Sequence, residues 1–307
     1  MTGSESQAEA SVLAFDVGGT QLRGALIDGV GKILERQSVP TPRSSPEDLS
    51  HALTDVGEAL LATENGQILR PRAASVAMAG TVDRTSGQVR SWPTTGFTDF
   101  DVTSALARRF DLPVALVNDV NAAALGESEA AGCGELAALF LGTGVGTGFV
   151  SGGRLLEGQR GMAGEGGHLP FRPGVSCPAG CDGCIEAYLG GDALERRALA
   201  AGVPADVPGI LEAWRAGQQP ATAIMEDALE ALEALVSITV NLLDPQRIVL
   251  GGGIGMRCPE MLATARQTVL ELPLGDGRRD LPVEAARLGD EAGLIGAGRL
   301  ARELLGG

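Results

Sequence analysis

Cysteine and histidine are scarce in this chain, and they are concentrated. Three of the five cysteines, Cys177, Cys181 and Cys184, fall within eight residues, and His168, one of two histidines, shortly precedes them. Thiolates and imidazole suit tetrahedral zinc, and four such ligands leave no vacancy, which makes such a site structural. The Gly- and Pro-rich spacers permit wrapping around one ion, and His168 is the best fourth ligand. Loose thiols or an occasional disulfide are the alternative, but soft ligands this dense in a reducing compartment favour metal. Cys133 and Cys258 stand alone and read as packing residues, and His51 as a surface position.

A second set of residues concerns phosphate. Asp16 ends an apolar strand, where an acid is costly to bury unless it serves a cation or hydrogen bonds. A role near Mg²⁺ accounts for it. Gly18-Gly19-Thr20 follows directly. Two more glycine-rich segments follow strands: Gly142 to Gly148, and Gly251-Gly252-Gly253-Ile254-Gly255. Glycine lets the backbone approach a ligand closely, and successive N–H groups can converge on an anion. One such turn is ordinary; three after strands point to phosphates. The Walker pattern and the dinucleotide fingerprint are both absent.

Asn118-Asp119 closes another apolar strand and opens an alanine-rich helix. An Asn or Asp there caps a helix. An Asp there is equally placed as a general base that accepts a hydroxyl proton during phosphoryl transfer. The two roles are compatible, because ligands bind at strand C-termini in open α/β sheets.

The elements that must position these residues follow from pattern. Ser11 to Val17, Leu22 to Asp28 and Lys32 to Val39 read as an antiparallel meander with a hairpin turn at Asp28 to Gly31. A helix capped by Ser45, with Pro46 first and Asp48 at a capping-box spacing, places Leu49, Ala52, Leu53, Val56 and Leu60 on one face. Ala74 to Ala79 and Pro113 to Val117 read as strands, and Val120 to Ala131 as a helix. Leu136 to Leu141 is a strand ending in the turn Gly142 to Gly148, with Phe149-Val150 starting the next and Gly152-Gly153 turning it. A helix over Ala223 to Leu243 stops at Pro245, and Arg247 to Leu250 is a strand. Both halves begin with a strand, a glycine-rich turn and a returning strand, which suggests two lobes facing a shared cleft.

The 307 residues suit two domains. A net charge of −15, with basic residues no denser than the pairs Arg108-Arg109, Arg196-Arg197 and Arg278-Arg279, speaks against nucleic acid and for solubility. No apolar run reaches the roughly 18 residues of a membrane span. Met1 to Ala10 is polar and acidic, unlike a secretory signal, and reads as a frayed tail. Together with the cysteine usage these features point to the cytoplasm.

Asp16 to Thr20, Asn118 to Glu127, Leu141 to Gly148, and Gly164-Glu165-x-Gly-His168 with the cysteines closing on Glu186 resemble, in that order, the ROK family of bacterial sugar kinases and repressors. Val249 to Gly255 looks like its adenosine-side glycine loop. The likeness runs from about residue 12 to the C-terminus. It implies an α/β chain with the actin-like ATPase (ribonuclease H-like) fold. Residues 1–11 would be a flexible tail, 12–119 with about 290–307 a small lobe, and 120–289 a large lobe bearing the zinc loop. A last helix near Glu291 to Leu305 would return to the first lobe.

The resemblance implies an ATP-dependent hexose kinase, glucokinase-like, with Asp119 as the base acting on the 6-hydroxyl of glucose. Asn118, Glu165, His168 and Glu186 would bind sugar hydroxyls. Asp16, Gly18, Gly19, Thr20, Thr143 and Gly144 would serve Mg²⁺ and the phosphates of ATP, and Gly251, Gly252 and Gly253 the adenosine. Structural Zn²⁺ would take His168, Cys177, Cys181 and Cys184. A homodimer or homotetramer is expected. N-acetylglucosamine, N-acetylmannosamine or mannose are alternative acceptors, and a sugar sensor of slow turnover is another form. A repressor of this family would need a helix-turn-helix extension, and about ten residues precede the first strand.

Three positions depart from the family pattern. The usual Cys-x-Cys-x4-Cys is Cys177-x3-Cys181-x2-Cys184, Gln21 replaces a basic residue after Gly-Gly-Thr, and Ser91 to Phe97 lacks an Asn expected to contact the sugar.

Overall fold

Val12–Val17 is apolar at every position but Asp16, as befits a strand covered on both faces, and it forms the centre of a five-stranded sheet. The computed structural model describes residues 10–273 and 280–306. Residues 1–9 of the expected tail and the pair Arg278-Arg279 lie outside the described residues. Contacts divide the chain into two units: the first holds residues up to Gly132, with Glu157–Met162 and Asp290–Gly307, and the second holds Cys133–Leu156 and Ala163–Gly289.

In the first unit, β1 (Val12–Val17), β2 (Gln21–Ile27) and β3 (Ile33–Pro40) form the expected antiparallel meander. β4 (Ala74–Met78) then pairs parallel with β1. A separate three-stranded meander follows, β5 (Thr81–Asp83), β6 (Gln88–Trp92) and β7 (Phe97–Asp101), which sequence pattern did not disclose. β8 (Val114–Asn118) pairs parallel with β4, giving the order β3-β2-β1-β4-β8. The helix Pro46–Leu61 is capped as its sequence dictates: the Ser45 hydroxyl accepts from the Asp48 N–H at 3.1 Å, and Leu49, Leu53, Val56 and Leu60 are buried.

The second unit repeats this plan. β9 (Leu136–Leu141), β10 (Val145–Ser151) and β11 (Arg154–Leu155) are antiparallel, and β12 (Arg247–Gly251) and β13 (Val283–Ala285) continue parallel from β9, in the order β11-β10-β9-β12-β13. The helix Gln219–Leu243 begins four residues before the expected Ala223 and buries Met225, Leu232, Val236 and Val240. No helix among the described residues is long and apolar enough to cross a membrane.

Several expectations are corrected. Gly142 to Gly148 is not all turn: only Gly142–Gly144 turns, and Gly146 and Gly148 lie inside β10. The glycine that close packing against β10 requires is Gly167, where a Cβ would lie 2.3 Å from the Val145 carbonyl oxygen. Gly251 closes β12, and Gly252-Gly253 opens a helix, Gly252–Arg257, instead of forming a loop. Ala10 and Ser11, expected in the tail, are buried, and the Ser11 hydroxyl donates to the Leu69 carbonyl.

The helix Asp119–Ala131, expected to head the second lobe, falls in the first unit. It packs on the final helix, Ala292–Glu303, through facing glycines. A Cβ on Gly126 would lie 2.3 Å from the Ala292 carbonyl oxygen, and one on Gly296 would lie 1.7 Å from that of Ala122. Only bare Cα atoms allow this approach.

Candidate active site

The residues singled out by sequence fall into two groups, one in each unit. In the first unit they surround the hairpin between β1 and β2. The Gly18 N–H donates to the Gln21 carbonyl at 3.0 Å, and the Thr41 hydroxyl holds the Gly18 carbonyl at 2.8 Å, so Gly18-Gly19-Thr20 forms a fixed tip. Thr20 is exposed there. Asp16 lies directly opposite Arg23 in the β1–β2 register, and Arg23 Nη1 stands 3.4 Å from Asp16 Oδ2. The other Arg23 nitrogen, Nη2, lies 3.3 Å from Asp290. Arg23 escaped sequence reading; the signal was its place two residues after Gln21 on the same strand face. Arg43 also approaches, with Nη2 3.6 Å from where a Gly19 Cβ would be. Two guanidinium groups thus stand near a hairpin where neutral Gln21 replaces the basic residue of the family pattern.

Asp16 is largely shielded, with 13% of its side chain exposed. Burial pushes its carboxyl up to about 6; the negative charge of Asp119 adds to the rise, and Arg23 opposes it. Gly293, in the first turn of the final helix, lets the carboxylate lie close: a Cβ there would be 3.0 Å from Asp16 Cγ. A desolvated carboxylate with one weak cationic partner is suited to a divalent cation.

Asn118 is the N-cap of the helix Asp119–Ala131. Its Oδ1 accepts from the Asn121 N–H at 3.1 Å. Its Nδ2 donates to the Gly80 carbonyl at 3.0 Å and to Asp119 Oδ1 at 3.1 Å. Asp119 Oδ1 also accepts from the Val120 N–H at 2.9 Å. The cap and the positioning of the acid are therefore one arrangement, with Asp119 half-buried.

In the second unit, Thr143 and Gly144 occupy the β9–β10 turn. The Asp192 N–H donates to the Thr143 carbonyl at 3.0 Å, and Glu186 Oε2 accepts from the Val145 N–H at 2.9 Å. A Cβ on Gly144 would lie 2.4 Å from Glu186 Oε2, so glycine is needed beside this carboxylate. Glu186, expected at the sugar, has one oxygen committed to the turn that carries Thr143 and Gly144. Glu165 is exposed and precedes the single 3-10 turn Gly166–His168, and the Thr147 hydroxyl pins that segment by accepting from the Gly166 N–H at 2.9 Å. Gly251, Gly252 and Gly253 lie at the β12-to-helix junction, where Gly252 has φ +81°.

The expected metal ligands converge. One donor atom from each of His168, Cys177, Cys181 and Cys184 lies within 4.8 Å of every other. Ligands around one zinc at about 2.3 Å stand roughly 3.8 Å apart, so a small contraction would close the set. Cys181 Sγ faces His168 Nδ1 at 3.7 Å, which leaves Nε2 directed elsewhere. Cys177 and Cys184 are buried, and all five cysteines are free thiols. Burial pushes the Cys184 thiol up to about 11, while for Cys177 the N–H groups of Cys181 and Ala179 outweigh burial and lower it. Holding several thiolates together there calls for a cation, so the donor set fits zinc. The altered spacing is absorbed by Gly180 and Gly183, both at positive φ.

A sequence model of the ROK family matches residues 12–304. Glucokinase of Streptomyces coelicolor is 32% identical, covering 95% of this chain and 97% of that protein. N-acetylmannosamine kinase of Haemophilus influenzae is 31% identical, covering 95% and 96%. Among solved structures, a ROK hexokinase from Thermus thermophilus matches with a TM-score of 0.86 and 34% identity, covering 97% of this chain and all of that one. A ROK glucokinase from Streptomyces griseus, solved with glucose and AMPPNP, matches with a TM-score of 0.74 and 29% identity over 96% and 100%. The chain belongs to the ROK family, and its fold is that of the actin-like ATPases.

Proposed function

We propose that this ROK-family sugar kinase transfers the γ-phosphoryl group of ATP to the 6-hydroxyl of glucose, with Asp119 as general base. The observation that carries the reading is the Asp119 carboxylate, held by Asn118 and by the start of its own helix, in the same unit as the Gly18–Thr20 hairpin and the buried Asp16. In the proposed reaction Asp119 takes the proton of the 6-hydroxyl, whose oxygen bonds to the γ-phosphorus as the bond to the bridging β–γ oxygen breaks, leaving ADP and the sugar phosphate. Gly18, Gly19, Thr20, Thr143 and Gly144 would hold phosphates, Gly251 to Gly253 would border the adenosine, and Asp16 would serve Mg²⁺, which neutralises phosphate charge. Glu165, Glu186, Asn118 and His168, through Nε2, would orient the sugar. Zinc held by His168, Cys177, Cys181 and Cys184 would stiffen the segment that joins Glu165 to Glu186. The proposed setting is the cytoplasm.

Glucose is favoured by the similarity to the S. coelicolor enzyme and by the glucose complex of the S. griseus neighbour. N-acetylmannosamine is the second reading, favoured by the 31% identical H. influenzae kinase. The experiment is ADP release from ATP–Mg²⁺ with glucose, mannose, fructose, N-acetylglucosamine and N-acetylmannosamine, in wild type and Asp119→Asn. Fast turnover with glucose is expected, and Asp119→Asn should keep sugar binding while losing at least about 100-fold in kcat. Turnover confined to N-acetylmannosamine selects the second reading. Near-normal turnover of the variant removes Asp119 from its role.

A further inference from the structure

The segment that leaves β3, Thr41-Pro42-Arg43, is stitched to the hairpin between β1 and β2 at two points. The Thr41 N–H donates to the Thr20 carbonyl at 3.0 Å, and the Thr41 hydroxyl donates to the Gly18 carbonyl at 2.8 Å. Thr41 is buried, and Pro42 has a fixed φ, so the fold sets the direction of the chain into Arg43. Arg43 Nη2 is thereby carried to 3.6 Å from where a Cβ of Gly19 would stand, beside the tip of the hairpin.

Three long polar side chains lie around this tip, and one of them is uncommitted. Gln21 is neutral, and its Oε1 accepts from the Ser38 hydroxyl at 3.0 Å. Arg23 is divided between Asp16 and Asp290. Arg43 forms no ion pair and no hydrogen bond among the described residues. An exposed arginine without a partner is common. One stitched beside a bare glycine tip, close to a carboxylate suited to a divalent cation, is placed for an anion. Its planar fork of N–H donors matches the oxygens of a phosphate. Asp16, two residues before Gly18, also feels the charge of Asp119, so this end of the hairpin lies towards the proposed base, where the transferred group has to be.

We propose that Arg43 is a binding residue for the phosphoryl donor, its guanidinium pairing with the terminal phosphate of a nucleoside triphosphate. The inference deepens the kinase reading given above and rests on it.

The test is binding, so it needs no turnover. Calorimetry with Mg²⁺–AMPPNP and with Mg²⁺–ADP is carried out on wild type, Arg43→Ala and Arg43→Lys. Arg43→Ala should weaken AMPPNP about 10- to 100-fold and ADP by less than about threefold. Arg43→Lys keeps the charge and should return AMPPNP to within about fivefold of wild type. Because Arg43 is exposed, the urea midpoint of both variants should match that of wild type. A purely structural role would shift that midpoint and weaken both nucleotides alike. Equal weakening of AMPPNP and ADP, or no weakening of AMPPNP, overturns the proposal. Should Arg43→Ala not fold, Arg43→Gln must show the same selective loss. Wild type that binds AMPPNP but phosphorylates no sugar removes the kinase reading while the contact is still decided by the variants, and wild type that binds neither nucleotide fails both.

Discussion

Asp16 is held where a carboxylate is uncomfortable. Its ordinary pKa of 3.8 rises to about 6 in the fold, so the folded state binds the proton more tightly than the unfolded chain. Stability therefore falls as pH rises between those values, and the full cost is present above pH 6. Asp16→Asn should raise Tm of the Mg²⁺-free protein at pH 8, by on the order of 2–3 kcal/mol of stability, and this gain should vanish near pH 4. A gain equal at both pH values would show that ionisation is not its source. The acids at strand ends, Asp16 and Asp119, were legible because a charge closing an apolar run stands out in sequence. Arg23 was not, because its meeting with Asp16 depends on the hairpin register.

Helices show a different dependence on context. The caps at Ser45 and Asn118 are local chemistry, and sequence placed both. The approach of Asp119–Ala131 to the final helix is set by Gly126 and Gly296, more than 150 residues apart, and no local pattern reveals it. Gly296→Ala would set a Cβ 1.7 Å from the Ala122 carbonyl, which the helices can accommodate only by separating. The expected cost is about 2–4 kcal/mol, read from urea unfolding. Unchanged stability would mean that the helices have room to part. The β5–β7 meander was missed for a related reason: its strands are three to five residues long, too short for alternation to be distinctive.

Over the whole molecule, the strand orders β3-β2-β1-β4-β8 and β11-β10-β9-β12-β13 are one plan used twice. The repeat was legible because each half opens on a strand, a glycine-rich turn and a returning strand. Its seam was not, since the helix Asp119–Ala131 belongs with the chain's last helix. The second copy carries the thiol cluster, and the purified protein is expected to contain zinc in stoichiometric amount, measured by elemental analysis. Substoichiometric zinc in folded, active protein would dismiss the metal.

The closing helix has a consequence for biosynthesis. A ribosome releases Asp16 early, yet the residue lies against Gly293, which is made more than 250 residues later. The first unit is thus begun first and finished last, with the entire second unit synthesised in between. A nascent chain can bury its opening strands but cannot complete the surroundings of Asp16 until Ala292–Glu303 has emerged, so a premature stop that removes this helix should leave an inactive chain however much else has folded.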